Sequence, residues 1–156
     1  MPSSSITIFS DVAKNVDGGK LFSKYASFGV LSQKAVATIP AATATSTDIG
    51  MIPFQEGFNL VGLSIKSDDL DTSTNVTLDV GYIYDSSTLS GDTDAFFNDI
   101  DIAQDAGSVV YPVADGLSVG TGFVAEGSGF IFIRIGGGAT TTAGDITVQA
   151  IFTYDN

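Results

Sequence analysis

Thr74–Tyr84 reads TNVTLDVGYIY. Val76, Leu78, Val80, Tyr82 and Tyr84 fall on one side of an extended chain, and Thr77, Asp79 and Gly81 on the other. Asp145–Tyr154, DITVQAIFTY, repeats the pattern: Ile146, Val148, Ala150, Phe152 and Tyr154 against Thr147, Gln149 and Thr153. Successive strand side chains point to opposite faces, so a period of two means one face on a core and one in water. That is the pattern of antiparallel sheets.

Outward from these two segments the same reading continues. Ser5–Phe9, Lys34–Pro40, Ile49–Phe54, Phe58–Lys66, Ser108–Val113, Leu117–Ala125 and Gly129–Ile135 read as further strands. Pro53 marks Ile49–Phe54 as an edge strand or a bend, because proline has no N–H for a ladder. Leu63 and Ile65 are expected inward beside Val61. Asp94–Ile102, DAFFNDIDI, reads as one helical turn capped by Asp94, or as a bulged segment. Glu126–Ser128 suits a tight hairpin, and Gly136–Gly144 a flexible loop. Eight or nine strands with short connections predict an all-β fold: a single antiparallel β-sandwich, jelly-roll-like, with an extended N-terminal arm. The arm is assigned to residues 1–32 and the sandwich to 33–156.

Composition narrows the function. The 156 residues contain no His, no Cys and no Trp. Disulfides and thiolate metal sites are excluded, and nucleophilic chemistry loses its usual bases. The net charge of −12 opposes binding to nucleic acid or to an anionic membrane. No stretch approaches the roughly 20 apolar residues that span a bilayer. MPSSSITIFSDVAKN lacks a basic, then apolar leader pattern, so synthesis in a cytoplasm without secretion is expected. The acidic runs Asp68-Asp69-x-Asp71 and Asp92, Asp94, Asp99, Asp101, Asp105 do not match the spaced calcium loop and read as turns and caps. Gly136-Gly137-Gly138 has no Lys after it and is not a phosphate loop. Arg134, the sole arginine, shares a strand side with Phe130 and Phe132 and reads as half of a structural ion pair, with Asp79 as a cross-sheet candidate. No enzyme and no cofactor are expected.

Charge is uneven along the chain. Residues 1–47 hold Lys14, Lys20, Lys24 and Lys34 against Asp11 and Asp17, a balance of +2. Residues 48–156 hold Lys66 and Arg134 against 16 acids, a balance of −14. The arm is thus apolar and locally basic, which suits a partner with an acidic surface. Its candidate contact residues are Ile6, Ile8, Phe9, Lys14, Lys20, Leu21, Phe22, Lys24, Tyr25 and Phe28. Phe130 and Phe132 on one side of GFIFIRI, against Ile131, Ile133 and Ile135 on the other, call for a second cover from a neighbouring sheet or subunit.

The run TNVTLDVGYIYDSSTLSGDTDAFFNDIDIAQDAG, followed by GFIFIRI and GDITVQAIFTYD, resembles small β-sandwich structural proteins of tailed bacteriophages. The carriers are Asp79-Val80-Gly81-Tyr82, the Asp94-Ala95-Phe96 segment after the loop, and the closing C-terminal strand. The resemblance covers roughly residues 48–155. It implies a virion component, most simply a head decoration (cement) protein that binds the major capsid protein at the capsid surface, as a homotrimer. The alternative is a tail, fibre or baseplate module that recognises host glycan; exposed loop aromatics, with Phe96 and Phe97 the candidates, would favour it.

Overall fold

The computed structural model describes residues 6–9, 30–111 and 123–154. It contains nine strands: β1 Ile6–Phe9, β2 Val30–Ile39, β3 Asp48–Phe54, β4 Phe58–Ser67, β5 Thr77–Tyr84, β6 Asp92–Ile100, β7 Ser108–Tyr111, β8 Gly129–Gly136 and β9 Gly144–Tyr154. The described residues include no helix.

The pairing is that of one long hairpin rolled up. β5 pairs with β6 at its tip, then β4 with β7, β3 with β8 and β2 with β9, all antiparallel. Two further antiparallel pairings, β4 with β9 and β5 with β8, gather these arms into sheets ordered β2-β9-β4-β7 and β3-β8-β5-β6. This is the eight-strand jelly roll in full. β1 adds a parallel strand on the outer edge of β3.

Alternation decides which side each strand buries. Val76, Leu78 and Val80 from β5 and its approach meet Ile146, Val148, Ala150 and Phe152 of β9 in one core, all at 1% exposure or less. Ile131, Ile133 and Ile135 enter that core from β8. β9 lies between β2 and β4, a central place in its sheet. Pro53 is tolerated because β1 pairs with β3 as far as Gly50, so that among the described residues the Pro53 end of β3 has only β8 as a strand neighbour.

Several local readings change. β4 carries a bulge at Val61: Leu60 faces Phe152, yet Gly62 faces Ile151. The extra residue switches the inward set from Phe58 and Leu60 to Leu63, Ile65 and Ser67, leaving Val61 on the other side, half-buried. Asp94–Ile102 makes no helical turn; most of it is the bulged strand β6. Val80 pairs with Phe97 and Leu78 with Ile100, so one residue is extra there, and Asp99 takes up a φ of 50°. The bulges let consecutive Phe96 and Phe97 both be buried. Glu126–Ser128 is a crossover and not a hairpin. Ala125 bonds to Phe58 on β4, in the four-stranded sheet, whereas β8 belongs to the other. Most of Leu117–Ala125 lies outside the described residues. The Gly136–Gly144 loop is tied down: Thr140 is 2% exposed, its Oγ1 donates to Pro40 O at 2.9 Å, and Thr141 and Thr142 both donate N–H bonds to Leu70 O.

Candidate partner-binding surfaces

Ile6, Ile8 and Phe9 of the expected arm lie in β1, in register with Asp48, Ile49 and Gly50. Lys14, Lys20, Leu21, Phe22, Lys24, Tyr25 and Phe28 fall outside the described residues. β2 begins at Val30 and pairs with β9 from there, so the sandwich starts before residue 33.

Phe130 and Phe132 point away from the core, yet they are 2% and 1% exposed within the single chain. No second subunit is needed to cover them. The same side of the sheet carries a row of three charges in register, Asp48 on β3, Arg134 on β8 and Asp79 on β5. Arg134 chooses Asp48. Nε donates to Oδ1 at 2.7 Å and Nη2 to Oδ2 at 2.9 Å, a bidentate pair whose Asp48 side chain is 2% exposed. The guanidinium also lies 5.9 Å from the Phe132 ring centre. The structural ion pair expected at Arg134 is therefore present, with Asp48 as its partner. Asp79 instead accepts the Asp99 N–H at 2.8 Å and so pins the β6 bulge.

Asp79, Asp92, Asp94 and Asp99 concentrate negative charge along the β5–β6 edge. The crowding registers on Asp94, whose pKa is raised first by its hydrogen bond to the Asp92 carboxylate, then by burial and by the charges of Asp92 and Asp79. Among the described residues no three carboxylates converge in a way that could hold a metal ion. The Asp68–Asp71 run is spent on turns. Asp68 Oδ2 accepts Asp145 N–H at 2.9 Å, and Asp69 Oδ1 accepts Asp71 N–H at 3.0 Å. Asp71 Oδ2 accepts the N–H groups of Asn75 and Val76, while Oδ1 takes those of Ser73, N–H and O–H.

These bonds, led by the one from Asn75, hold the Asp71 carboxyl well below the usual carboxylate range. A carboxylate depressed in the folded state stabilises above its unfolded pKa of about 3.9, and that support fades as pH falls below it. Asp71→Asn would put an NH₂ where two backbone donors point. It is expected to lower Tm by several degrees at pH 7, with the gap to the parent narrowing below about pH 4. Thermal melts at pH 7 and pH 3 check this; a gap that widens on acidification would contradict it.

Exposed apolar surface lies on the other sheet. Among the described residues the exposed large apolar side chains are Val110, Val124 and Ile151, at 63%, 51% and 37%. Register puts all three on the outward side of β2-β9-β4-β7. Val110 pairs with Ser64, which faces Gln149, which faces Lys34. One row along, Gly62 faces Ile151, which faces Ser32. The next row in the opposite direction runs Ser108, Lys66, Thr147, Val36. Val124 bridges Asn59 at the far end. With no side chain at Gly62, a shallow depression of about 180 Å³ opens between Leu63, Ser64, Val110, Gln149 and Ile151. Lys34 and Lys66, both exposed, are the only lysines among the described residues, and both lie on this face. Sequence reading missed the face because its members come from four strands and none is conspicuous alone.

Phe96 and Phe97, the candidate sugar-stacking aromatics, are each 6% exposed. Phe96 joins Tyr82, Phe54, Tyr84 and Phe123 in a ring cluster, with the Tyr82 and Phe123 centres 4.5 Å apart. They offer no stacking platform.

No family model matches the sequence, and no curated protein matches it. Solved structures do match in fold. A chain in the capsid asymmetric unit of cyanophage Pam1 aligns with a TM-score of 0.64 at 22% identity, over 82% of this chain and 88% of that one. A chain in the capsid of Ralstonia phage GP4 gives 0.64 at 17% identity, over 83% and 86%. One in the acid-stable capsid of Helicobacter pylori bacteriophage KHP30 gives 0.54 at 10%, over 81% and 90%. The jelly-roll fold described above is the fold this chain shares with chains found in three phage capsids.

Proposed function

We propose that this chain is a phage virion structural protein, a head decoration (cement) protein that binds the major capsid protein on the outer capsid surface and stabilises the head. The observation that carries the reading is the match, over most of both chains, to components of phage capsids. The covered shares are nearly equal, so those components are about the length of this chain. A small single sandwich suits a part laid onto a shell that another protein builds. Its physical chemistry fits: a closed core, an acidic exterior that keeps many copies soluble, and a structural rather than catalytic role. The N-terminal region to residue 32 is the proposed attachment segment. Lys14, Lys20 and Lys24, with Leu21, Phe22, Tyr25 and Phe28, supply basic and apolar contacts.

Removal of residues 1–32 would also remove β1 and the start of β2, so charge reversal is the cleaner probe. Undecorated heads are incubated with the protein and pelleted. The parent chain should co-sediment to saturation. Lys14→Glu/Lys20→Glu/Lys24→Glu should bind at least about tenfold more weakly, the equivalent of about 1.4 kcal/mol. A parent chain that does not pellet with heads would refute the decoration role. Undiminished binding by the triple variant would move the contact from the arm to the body.

A further inference from the structure

We propose that the outward face of β2-β9-β4-β7 docks on the β5–β6 edge of a second copy of this chain. The inference deepens the capsid reading by naming how copies meet, but it is tested on the pure protein, without heads.

Two independent observations point to the face. It gathers the exposed large apolar side chains of the described residues, Val110, Val124 and Ile151, around a depression opened by Gly62. It also carries Lys34 and Lys66; the carboxylates of Asp145, bonded to Thr38 Oγ1 at 2.7 Å, and of Asp68, which accepts the Asp145 N–H, lie together at one end of it. On a chain of net charge −12 this is a basic, apolar surface in an acidic setting. Most ways of bringing two such molecules together are repulsive. An approach of this face to the crowded carboxylates Asp79, Asp92, Asp94 and Asp99 is attractive. Those carboxylates have Arg134 as the one cation on their sheet among the described residues, and Asp48 already occupies it.

The two surfaces belong to opposite sheets. Each copy therefore offers one and receives the other, a head-to-tail contact that closes into a ring or runs on as a chain. Four strands at about 4.8 Å spacing and some eight residues at about 3.3 Å give roughly 500 Å² of flat face. That is below the roughly 800 Å² per partner of a standard interface, so the contact is weak and salt-sensitive. Weak lateral contacts gain strength when many copies are held side by side on a lattice.

Sedimentation tests it with two charge-reversed variants at exposed positions, Lys34→Glu/Lys66→Glu and Asp92→Lys/Asp94→Lys. At low salt the parent mass should rise above the 16.1 kDa protomer between about 1 and 100 μM, and fall back near 0.5 M NaCl. Each variant alone should stay at protomer mass. An equimolar mixture should regain assembly, because every contact between unlike variants again pairs lysine with acid. Val110→Asp, on the edge strand β7, should lose assembly too and serves if either double variant fails to fold. A parent that stays a protomer at about 100 μM, a variant that assembles alone as the parent does, or a mixture that does not reassemble each overturns the proposal.

Discussion

Arg134→Met should lower the free energy of unfolding by about 3 kcal/mol, whereas Asp48→Asn should lower it by about 1 kcal/mol. The asymmetry follows from burial. The Asp48 side chain is 2% exposed and the Arg134 side chain 33%. Taking away the guanidinium strands a carboxylate among buried strands, the costly half of breaking a pair. Taking away the carboxylate leaves a cation that reaches water and has Asp79 beside it in the sheet. Arg134 is well committed to its charge: hydrogen bonding to Asp48 raises its pKa against the opposing pull of partial burial. The double variant Asp48→Asn/Arg134→Met should recover about 2 kcal/mol of the Arg134→Met loss, since no buried charge is then left alone. Urea titrations of the three variants decide it. Equal, small losses for both single variants would mean that the pair behaves as a solvent-screened surface bridge. The row matters to the fold because Asp48, Arg134 and Asp79 stand on three neighbouring strands that join early and late parts of the chain.

The residues that made the fold legible are those whose pattern is local. Leu78 and Val80, or Ile146 and Val148, announce their strand by alternation alone, and the structure places them as alternation requires. What alternation cannot carry is an inserted residue or the identity of a partner strand. Val61 looked inward because it shares parity with Leu63, and a bulge breaks that parity. Asp94–Ile102 admits two readings, a helical turn capped by Asp94 or a bulged segment, because its apolar residues recur without a period of two. Pairing with β5 selects the second, and the bulges account for the broken period. Arg134 lies in register with a carboxylate on each side. Asp79 is visible on a strongly alternating strand, while Asp48 lies just ahead of the strand read as Ile49–Phe54, and only the β3–β8 register brings it to the guanidinium. The outward face behaves the same way: Lys34, Lys66, Val110 and Ile151 are far apart in sequence and adjacent only once four strands are ordered.

Gly81 shows how far backbone proximity, unseen in the sequence, controls the β5–β6 edge. It faces the irregular part of β6, between the Val80–Phe97 and Tyr82–Asp92 pairs. A Cβ there would run into the Asp92 carbonyl oxygen and the Thr93 backbone, which are main-chain atoms and cannot rotate aside. Gly81→Ala should therefore cost about 3 kcal/mol or prevent folding, through displacement of β6 and the buried Phe96 and Phe97 that it carries. Gly62→Ala is the matched control on the other sheet. Its Cβ would meet only the Ile151 side chain, nearest at 3.7 Å, an ordinary contact, and an alanine restricts the unfolded chain more than a glycine does. That variant should be neutral or more stable by about 0.5 kcal/mol. Chemical denaturation of the two variants beside the parent separates the effects. If Gly81→Ala unfolds at the same urea concentration as the parent, β6 does not hold the close approach to β5, and the acidic edge it presents would have to be redrawn.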